Sequence, residues 1–299
     1  MVIPFSKYRR IFYSISFLAT LASIFSLFLF KLNFSIEFTG GTILEIEYLE
    51  RRPEIRDLER SLFELELKEF MIQPAGENEI ILRTKELNPD LKEKTIEKLK
   101  EFGKLREVQS ETIGPIISKE LKEKAFLITI LSICAIIIYI SIAFKNLSPT
   151  IPAWQCALVV IFCLLHDLIL PLGVFSFLGR NQNVQFSIPL VIAFLTIIGY
   201  SINNVVVVFD RVREIVQKFP KKSLYQVADE AINQTLTRQI NTSLTTLFPL
   251  ITIFFLVGES LKYFSLVLIL GISFGTYSSI FLATPLLVTL RERFKNKKS

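Results

Sequence analysis

Six stretches of this sequence are apolar for long enough to cross a lipid bilayer: 11–30, 125–144, 151–178, 186–209, 240–257 and 264–290. About 20 residues of helix match the hydrocarbon thickness. Inside lipid each backbone N–H and C=O must be paired within its own segment, so runs of this length become helices. The balance of the chain agrees, with 51% hydrophobic residues and a mean hydropathy of +0.47. The predicted fold class is a polytopic α-helical membrane protein with six transmembrane helices. One small α+β domain sits between helices 1 and 2. The expected organisation is 1–30 as cytoplasmic N-terminus and first span, and 31–122 as a periplasmic domain. Residues 123–290 hold spans 2–6, with a cytoplasmic helical loop at about 210–238, and 291–299 form a basic cytoplasmic tail.

The net charge of +6 invites a nucleic-acid reading, but its distribution excludes one. Residues 31–124 hold 17 Lys/Arg and 21 Asp/Glu, whereas the rest of the chain holds 17 basic and 7 acidic residues. The basic excess lies beside the spans, where it sets orientation. Residues 1–10, 145–150, 210–238 and 291–299 together carry fifteen Lys/Arg, against only Arg180 and Lys262 on the other side. Both termini are therefore expected in the cytoplasm, with 31–122 outside. The apolar run 11–30 is too long for a usual signal h-region, and KLNFSIEF after it offers no small-x-small cleavage site, so it reads as a retained span. Cys134, Cys156 and Cys163 all fall in apolar runs, which is no disulfide framework. A single histidine, His166, rules out a multi-histidine metal site within the chain. No cofactor-binding motif is present.

In 31–122 the apolar pattern alternates between periods of two and 3.6. Thr42, Leu44, Ile46 and Tyr48 alternate with Ile43, Glu45 and Glu47, predicting a half-buried strand. Pro53 opens a helix with Ile55, Leu58, Leu62 and Leu65 on one face. Lys68–Gln73 and Glu79–Thr84 read as a strand pair around Pro74-Ala75-Gly76. Asn88-Pro89 starts a second helix carrying Leu91, Ile96, Leu99 and Phe102, stopped by Gly103, and Lys104–Ser110 is a last strand. This β-α-β-β-α-β order predicts a ferredoxin-like sandwich with Leu44, Ile46, Leu58, Leu62, Leu65 and Leu99 in its core.

Several polar residues interrupt the spans. In 189–214, Gly199-Tyr200-Ser201 and Asn203-Asn204 break an apolar run. Thr196, Gly199 and Asn203 share one helical stripe; Ile197, Ser201 and Asn204 share the next, so the two amides can meet different neighbours. On spacing alone, inter-helix hydrogen bonding with a glycine for close approach outweighs a transport site. His166 and Asp167 are adjacent ionisable groups inside span three, read evenly as a structural hydrogen bond or a proton relay. Arg238, Thr242, Thr245 and Pro249 share a stripe at the start of span five, where an edge arginine reaching for the interface is the plain alternative. Gly271 and Gly275 form GxxxG in span six, with Ser278 and Ser279 one turn on, a close-packing surface without evident chemistry. Ser223 and Gln226 make a capping-box pattern. The Leu224, Val227, Ala228, Ala231 and Ile232 face after it predicts a short cytoplasmic helix before span five, either against the membrane or buried on protein.

These motifs together resemble the SecF family, the smaller subunits of the bacterial SecD–SecF protein-export accessory complex. They are Glu37-Phe38-Thr39-Gly40-Gly41-Thr42 after the first span, Thr112-Ile113-Gly114-Pro115, and His166-Asp167. Gly199-Tyr200-Ser201-Ile202-Asn203 with Val206-Val207-Val208-Phe209-Asp210-Arg211, and Arg238 with Thr242-Ser243-Leu244-Thr245-Thr246, complete the set. The resemblance runs over nearly the whole chain in family order. It implies an RND-like inner-membrane protein that works with SecD on unfolded preproteins leaving the SecYEG channel, driven by a proton or sodium gradient. It also implies YajC and YidC as further partners, membrane lipid around the spans, and no nucleic acid. It assigns ion coupling to Asn204, Arg238, Asn203, Asp167, His166 and Thr242. Phe38, Thr39, Gly40, Gly41, Gly199, Gly271 and Gly275 are its structural positions.

One position departs from the family pattern, which reads GYSIND; here the final residue is Asn204. An amide does not titrate, so Asn204 can donate and accept hydrogen bonds but carry no proton. The resemblance puts Asn204 and Arg238 in one polar site, completed by a SecD carboxylate. Coupling then falls to SecD, to Asp167 or to sodium. Two other functions compete: a non-coupled scaffold for SecD, which Asn204 favours, and an RND-type small-molecule exporter subunit, which would need a homodimer. An enzyme reading has no P-loop, GxSxG or HExxH to stand on.

Overall fold

The computed structural model describes residues 3–65, 67, 70–144, 151–257 and 259–296. A 3₁₀ turn, Phe5–Tyr8, leads into α1 (Arg9–Phe30). The short α2 (Ile36–Thr39) precedes β1 (Gly41–Tyr48), α3 (Ile55–Phe63), β2 (Phe70–Ala75), β3 (Glu79–Thr84), α4 (Pro89–Lys100) and β4 (Leu105–Ile113). Long helices follow: α5 (Pro115–Ala143), α6 (Ala153–Gln182), α7 (Ile188–Lys218) and α8 (Leu224–Leu256). Last come α9 (Glu259–Ser278), a π turn at Ser279–Ala283 and α10 (Thr284–Asn296). Six helices among the described residues are long and apolar enough to cross a membrane, the last made of α9, the π turn and α10. The chain divides into a helical unit (1–32, 128–184 and 188–299) and a sheet unit (33–127 and 185–187).

The sheet unit has strand order β2-β3-β1-β4, every neighbouring pair antiparallel, as a β-α-β-β-α-β sandwich requires. The helix starts follow from local chemistry. Asn88 accepts the Leu91 N–H at 2.8 Å, and Pro89 fills the first helical position, where no N–H is needed. Leu44, Ile46, Leu58, Leu62 and Leu99 are each 0% exposed and form the core with Tyr48, Ile80 and Leu82. Leu65 differs from expectation: α3 ends at Phe63, so Leu65 falls past the helix and packs only at the rim. Pro74, expected in the turn, is instead the fifth residue of β2. The strand has its edge position at the end of the sheet, where a missing N–H costs no ladder bond. Lys68 and Glu69, expected to open that strand, lie outside the described residues. Leu62→Ala should destabilise this unit by about 2–5 kcal/mol. A denaturation midpoint unchanged from wild type would remove Leu62 from the core.

The helical unit buries small and apolar faces of α6, α7 and the last span. α6 keeps Cys156, Cys163 and Leu164 inside; α7 contributes Val205, Val208 and Phe209, and the π turn Leu282 and Ala283. Close approach is set by glycines. A Cβ on Gly271 would lie 2.2 Å from Ile197 Cδ1, so α9 meets α7 there. A Cβ on Gly173 would lie 2.5 Å from the Ser23 Cα, so α6 and α1 touch backbone to side chain. Ser26 locks that contact by bonding to the Gly173 carbonyl at 2.9 Å and to Ser176 at 2.7 Å.

The expected short helix before span five is part of α8. The Ser223 capping box is present, but no glycine or proline lies between Leu224 and Phe248, so the helix runs on unbroken. Val227, Ala228, Ala231 and Ile232 are at most 1% exposed and pack on protein of the helical unit, not on lipid. The same stretch of α8 holds the start of the chain. The Asp229 carboxylate accepts the Ser6 N–H at 2.8 Å, and Asn233 exchanges two hydrogen bonds with the Ile3 backbone. Arg9 lies over the Tyr225 ring, whose hydroxyl bonds to Glu292 at the end of the last span.

Candidate functional site

Position 40–41 is a structural corner. α2 ends at Gly40 with φ +74°, a left-handed conformation that favours glycine. A side chain on Gly41 would stand 2.5 Å from the Thr84 carbonyl, where β1 joins β3. Thr39 caps back onto the Ser35 carbonyl, and Phe38 packs among Phe34 and Phe186. These four residues shape the entry to the sheet and bring no titratable group to it.

The two stripes on α7 have opposite fates. Ile197, Ser201 and Asn204 are buried, at 0%, 1% and 2% exposure. Thr196, Gly199 and Asn203 are exposed. Asn203 therefore faces outward, and among the described residues no hydrogen bond joins it to another helix, so only Asn204 points into the bundle. Gly199 is likewise no close-approach point: a Cβ there would find nothing within 4 Å. On α8, Arg238, Thr242, Thr245 and Pro249 share an exposed face. The Thr242 hydroxyl donates to the Arg238 carbonyl at 2.8 Å, and the Arg238 guanidinium has no ion-pair partner among the described residues. Arg238 and Asn204 are not hydrogen-bonded to each other. The Asn204 amide nitrogen is buried without a partner among the described residues. Of the expected polar site, the described residues show a buried amide on α7 and an exposed cation on α8.

A second polar centre lies between α6, α7 and α9. Asp167, 0% exposed, accepts from His166 Nδ1 at 2.8 Å on one oxygen. Its other oxygen accepts from Ser201 at 2.5 Å and Ser278 at 2.7 Å. Gly275 makes room for them: a Cβ there would sit 3.4 Å from Ser201 and 3.5 Å from Asp167. The GxxxG surface therefore does border chemistry. His166 Nε2 is buried with no partner among the described residues. Pro171, one turn on, has no N–H to give the Asp167 carbonyl, so the helix ladder opens at the same residue.

A third polar chain ties α7, α8 and α9. Tyr200 donates to Ser243 at 3.2 Å, and Ser243 lies 2.6 Å from Thr276. Ser279 donates to Gln239 Oε1 at 2.5 Å, and Gln239 Nε2 donates to Thr235 at 3.2 Å. Sequence reasoning gave no role to Tyr200, Gln239 or Thr276, and read Ser278 and Ser279 as packing. Their one signal was adjacency: Tyr200-Ser201 and Ser278-Ser279 are neighbouring polar residues in apolar spans, and each pair serves both networks.

Among the described residues no group of three or more His, Cys, Asp or Glu stands where a metal ion could be held.

The family profile described as "Protein export membrane protein SecD/SecF, C-terminal" matches residues 93–293, and that of the "SecD/SecF GG Motif" matches 25–48. The protein translocase subunit SecF of Sebaldella termitidis is 35% identical over 302 residues, covering 99% of this chain and 94% of its own. That of Thermobaculum terrenum is 33% identical over 301 residues, covering 96% and 94%. The crystal structure of SecDF, a translocon-associated membrane protein from Thermus thermophilus, superposes with a TM-score of 0.85 at 32% identity. That match takes in 99% of this chain and 39% of the SecDF chain. A SecDF structure in a super-membrane-facing form gives 0.72 at 32% identity, over 100% of this chain and 40% of that one.

Proposed function

The chain belongs to the SecD/SecF family of protein-export membrane proteins, and from there we propose that it pairs with SecD to drive preprotein translocation by an ion gradient. The observation that carries this reading is the exposed polar face of α7 and α8. Asn203 and Thr196 on one helix, and Arg238, Thr242 and Thr245 on the other, lie within spans and are exposed among the described residues. Polar groups left against hydrocarbon are costly, so such a face is built for a second protein surface. The matched SecDF chains are more than twice as long as this one, and the remaining length is room for that partner.

The cation on this face fits a carboxylate supplied by SecD. A guanidinium makes a directional pair with a carboxylate and keeps it ionised until a proton or sodium ion displaces the pairing. The preprotein would be engaged at SecYEG on the outer face, and YajC and YidC are the accessory proteins the family pattern suggests. A scaffold role is the second reading, favoured by Asn204, an amide where the family carries its titrating residue.

Inverted membrane vesicles depleted of both subunits separate the two. Adding back this chain with SecD should restore the part of preprotein translocation that responds to an imposed ion gradient. Stabilised SecD with no gradient response would leave only the scaffold.

The orientation proposed is multi-pass in the inner membrane with both termini cytoplasmic and 31–122 periplasmic. A cysteine placed at position 90 should react with an impermeant thiol reagent in intact spheroplasts, and one at position 222 should not. The opposite pattern would invert the topology.

A further inference from the structure

We propose that the groove at one end of the sheet unit, walled by residues 50–56 and 76–78, binds an extended polypeptide segment that carries charges of both signs. This rests on the export reading above and gives the passing chain a place on this subunit.

The groove forms where the end of β1, the start of α3 and the β2–β3 turn meet. The Tyr48 N–H, at the end of β1, donates to the Asn78 carbonyl in that turn at 2.9 Å. Arg52 reaches the Gly76 and Glu79 carbonyls, each at 3.4 Å, and so ties the segment between β1 and α3 to the same turn. The space they enclose measures about 1290 Å³. Gly41 and Ile113, through which the chain enters and leaves the sheet, pair at the opposite end of β1, about 25 Å away by strand length. The groove therefore opens clear of both connections.

Its charges are left unpaired. Glu50, Glu54 and Glu77 stand on it with Arg51, Arg52 and Arg56. None of them makes an ion pair among the described residues, although opposite charges are neighbours along the chain. Elsewhere in the unit, Lys92 pairs with Glu107, Lys98 with Glu64 and Glu101, and Arg106 with Glu47. Glu54 occupies the N-cap of α3, yet its carboxylate caps nothing. All but Arg52 are exposed. Charges held apart in this way have no internal pair to break when a partner arrives.

Size and lining select the partner. Pockets for small molecules measure roughly 300–1,000 Å³ and are mostly apolar. This groove is larger, and its apolar side chains are Pro53 and Ile55. A permanent subunit interface has an apolar centre depleted of charge, which the groove lacks. Three cations against three anions give no net sign, so neither a polyanion nor a polycation is favoured. What fits is a chain with scattered charges, in contact along its length, which is how a polypeptide that has not yet folded presents them. Exposed ion pairs are individually weak and screened by salt, so such a segment is held while it lies in the groove and let go as it moves on.

Fluorescence anisotropy of the purified full chain tests this with labelled glycine–serine peptides bearing lysines, glutamates or both. The mixed peptide should bind saturably and lose affinity as salt is raised. Glu50→Gln/Glu54→Gln/Glu77→Gln should weaken the lysine peptide about tenfold, the combined effect of three exposed ion pairs, and spare the glutamate peptide. Arg51→Gln/Arg56→Gln should do the reverse; Arg52 stays, since it holds the turn. No binding, or a loss that ignores the sign of the peptide, overturns the proposal. In inverted vesicles with SecD and a preprotein stalled in transit, a photo-crosslinking residue in place of Glu77 should join this chain to the preprotein. One in place of Glu93, exposed on α4 outside the groove, should not. An adduct at position 77 to SecD alone would make the groove a subunit contact and overturn the proposal, as would no adduct at all. Peptide binding needs neither SecD nor a gradient, so its failure leaves the export reading standing. Normal peptide binding without gradient-driven export would count against that reading alone.

Discussion

Arg238→Ala should abolish gradient-stimulated export while leaving the amount of SecD that co-purifies unchanged. The residue is exposed on α8 with no ion pair among the described residues. Its loss should therefore leave the helical unit folded. It acts, on the proposed reading, by leaving a partner carboxylate buried and unpaired, a change worth about 3–5 kcal/mol and enough to neutralise that group permanently. Asn204→Asp should be tolerated, because it restores the carboxylate that the family pattern carries at that position. The measurement is preprotein translocation into inverted vesicles with and without an imposed gradient, beside a pull-down of SecD. Normal gradient response in Arg238→Ala would make it an ordinary interface arginine, and a parallel fall in SecD would favour the scaffold.

Gly173→Val should be the most damaging single change to the helical unit. Its Cβ would stand 2.4 Å from Ser23 Cβ and 2.5 Å from Ser23 Cα. No rotamer change moves a Cα, so α1 must retreat from α6 and give up the two Ser26 hydrogen bonds. Overpacking alone costs about 1–3 kcal/mol, and the lost bonds about 0.6 each. Thermal unfolding of the detergent-solubilised chain reads the effect. Gly199→Val is the control: it sits in a span with open space around it and should leave the transition in place. Equal stability of both variants would mean that α1 is not held against α6 at Gly173.

Six spans and the sandwich order were legible because both rest on periodicity. A 20-residue apolar run or a Leu44-Ile46-Tyr48 alternation constrains the backbone whatever its neighbours do. The unity of α8 was less legible. Its amphipathic first half and apolar second half look like two elements when composition alone is read. Only the absence of a breaker between Leu224 and Phe248 joins them.

The polar centres split along a similar line. His166 and Asp167 announced themselves as ionisable residues in an apolar run. Ser201 and Ser278 became their partners only through the fold, since residues 77 positions apart on α7 and α9 meet at one carboxylate oxygen. Arg238 and Asn204 are a different case: the family pattern joins them in one site, and in this chain Asn204 is buried while Arg238 is exposed.

The clasp between Ile3–Arg9 and the first turns of α8 has a consequence for the order of synthesis. The Ser6 N–H and the Ile3 backbone find their partners at Asp229 and Asn233, more than two hundred residues later. α1 precedes α8 in the chain, so its N-terminal end meets these partners only once the fifth span is made. Tyr13 and Thr289 meet later still, at 3.3 Å, after the sixth. The helical unit is therefore fastened from its last-made parts backwards, and a nascent chain stopped short of Leu224 keeps an open N-terminal end that proteases can reach.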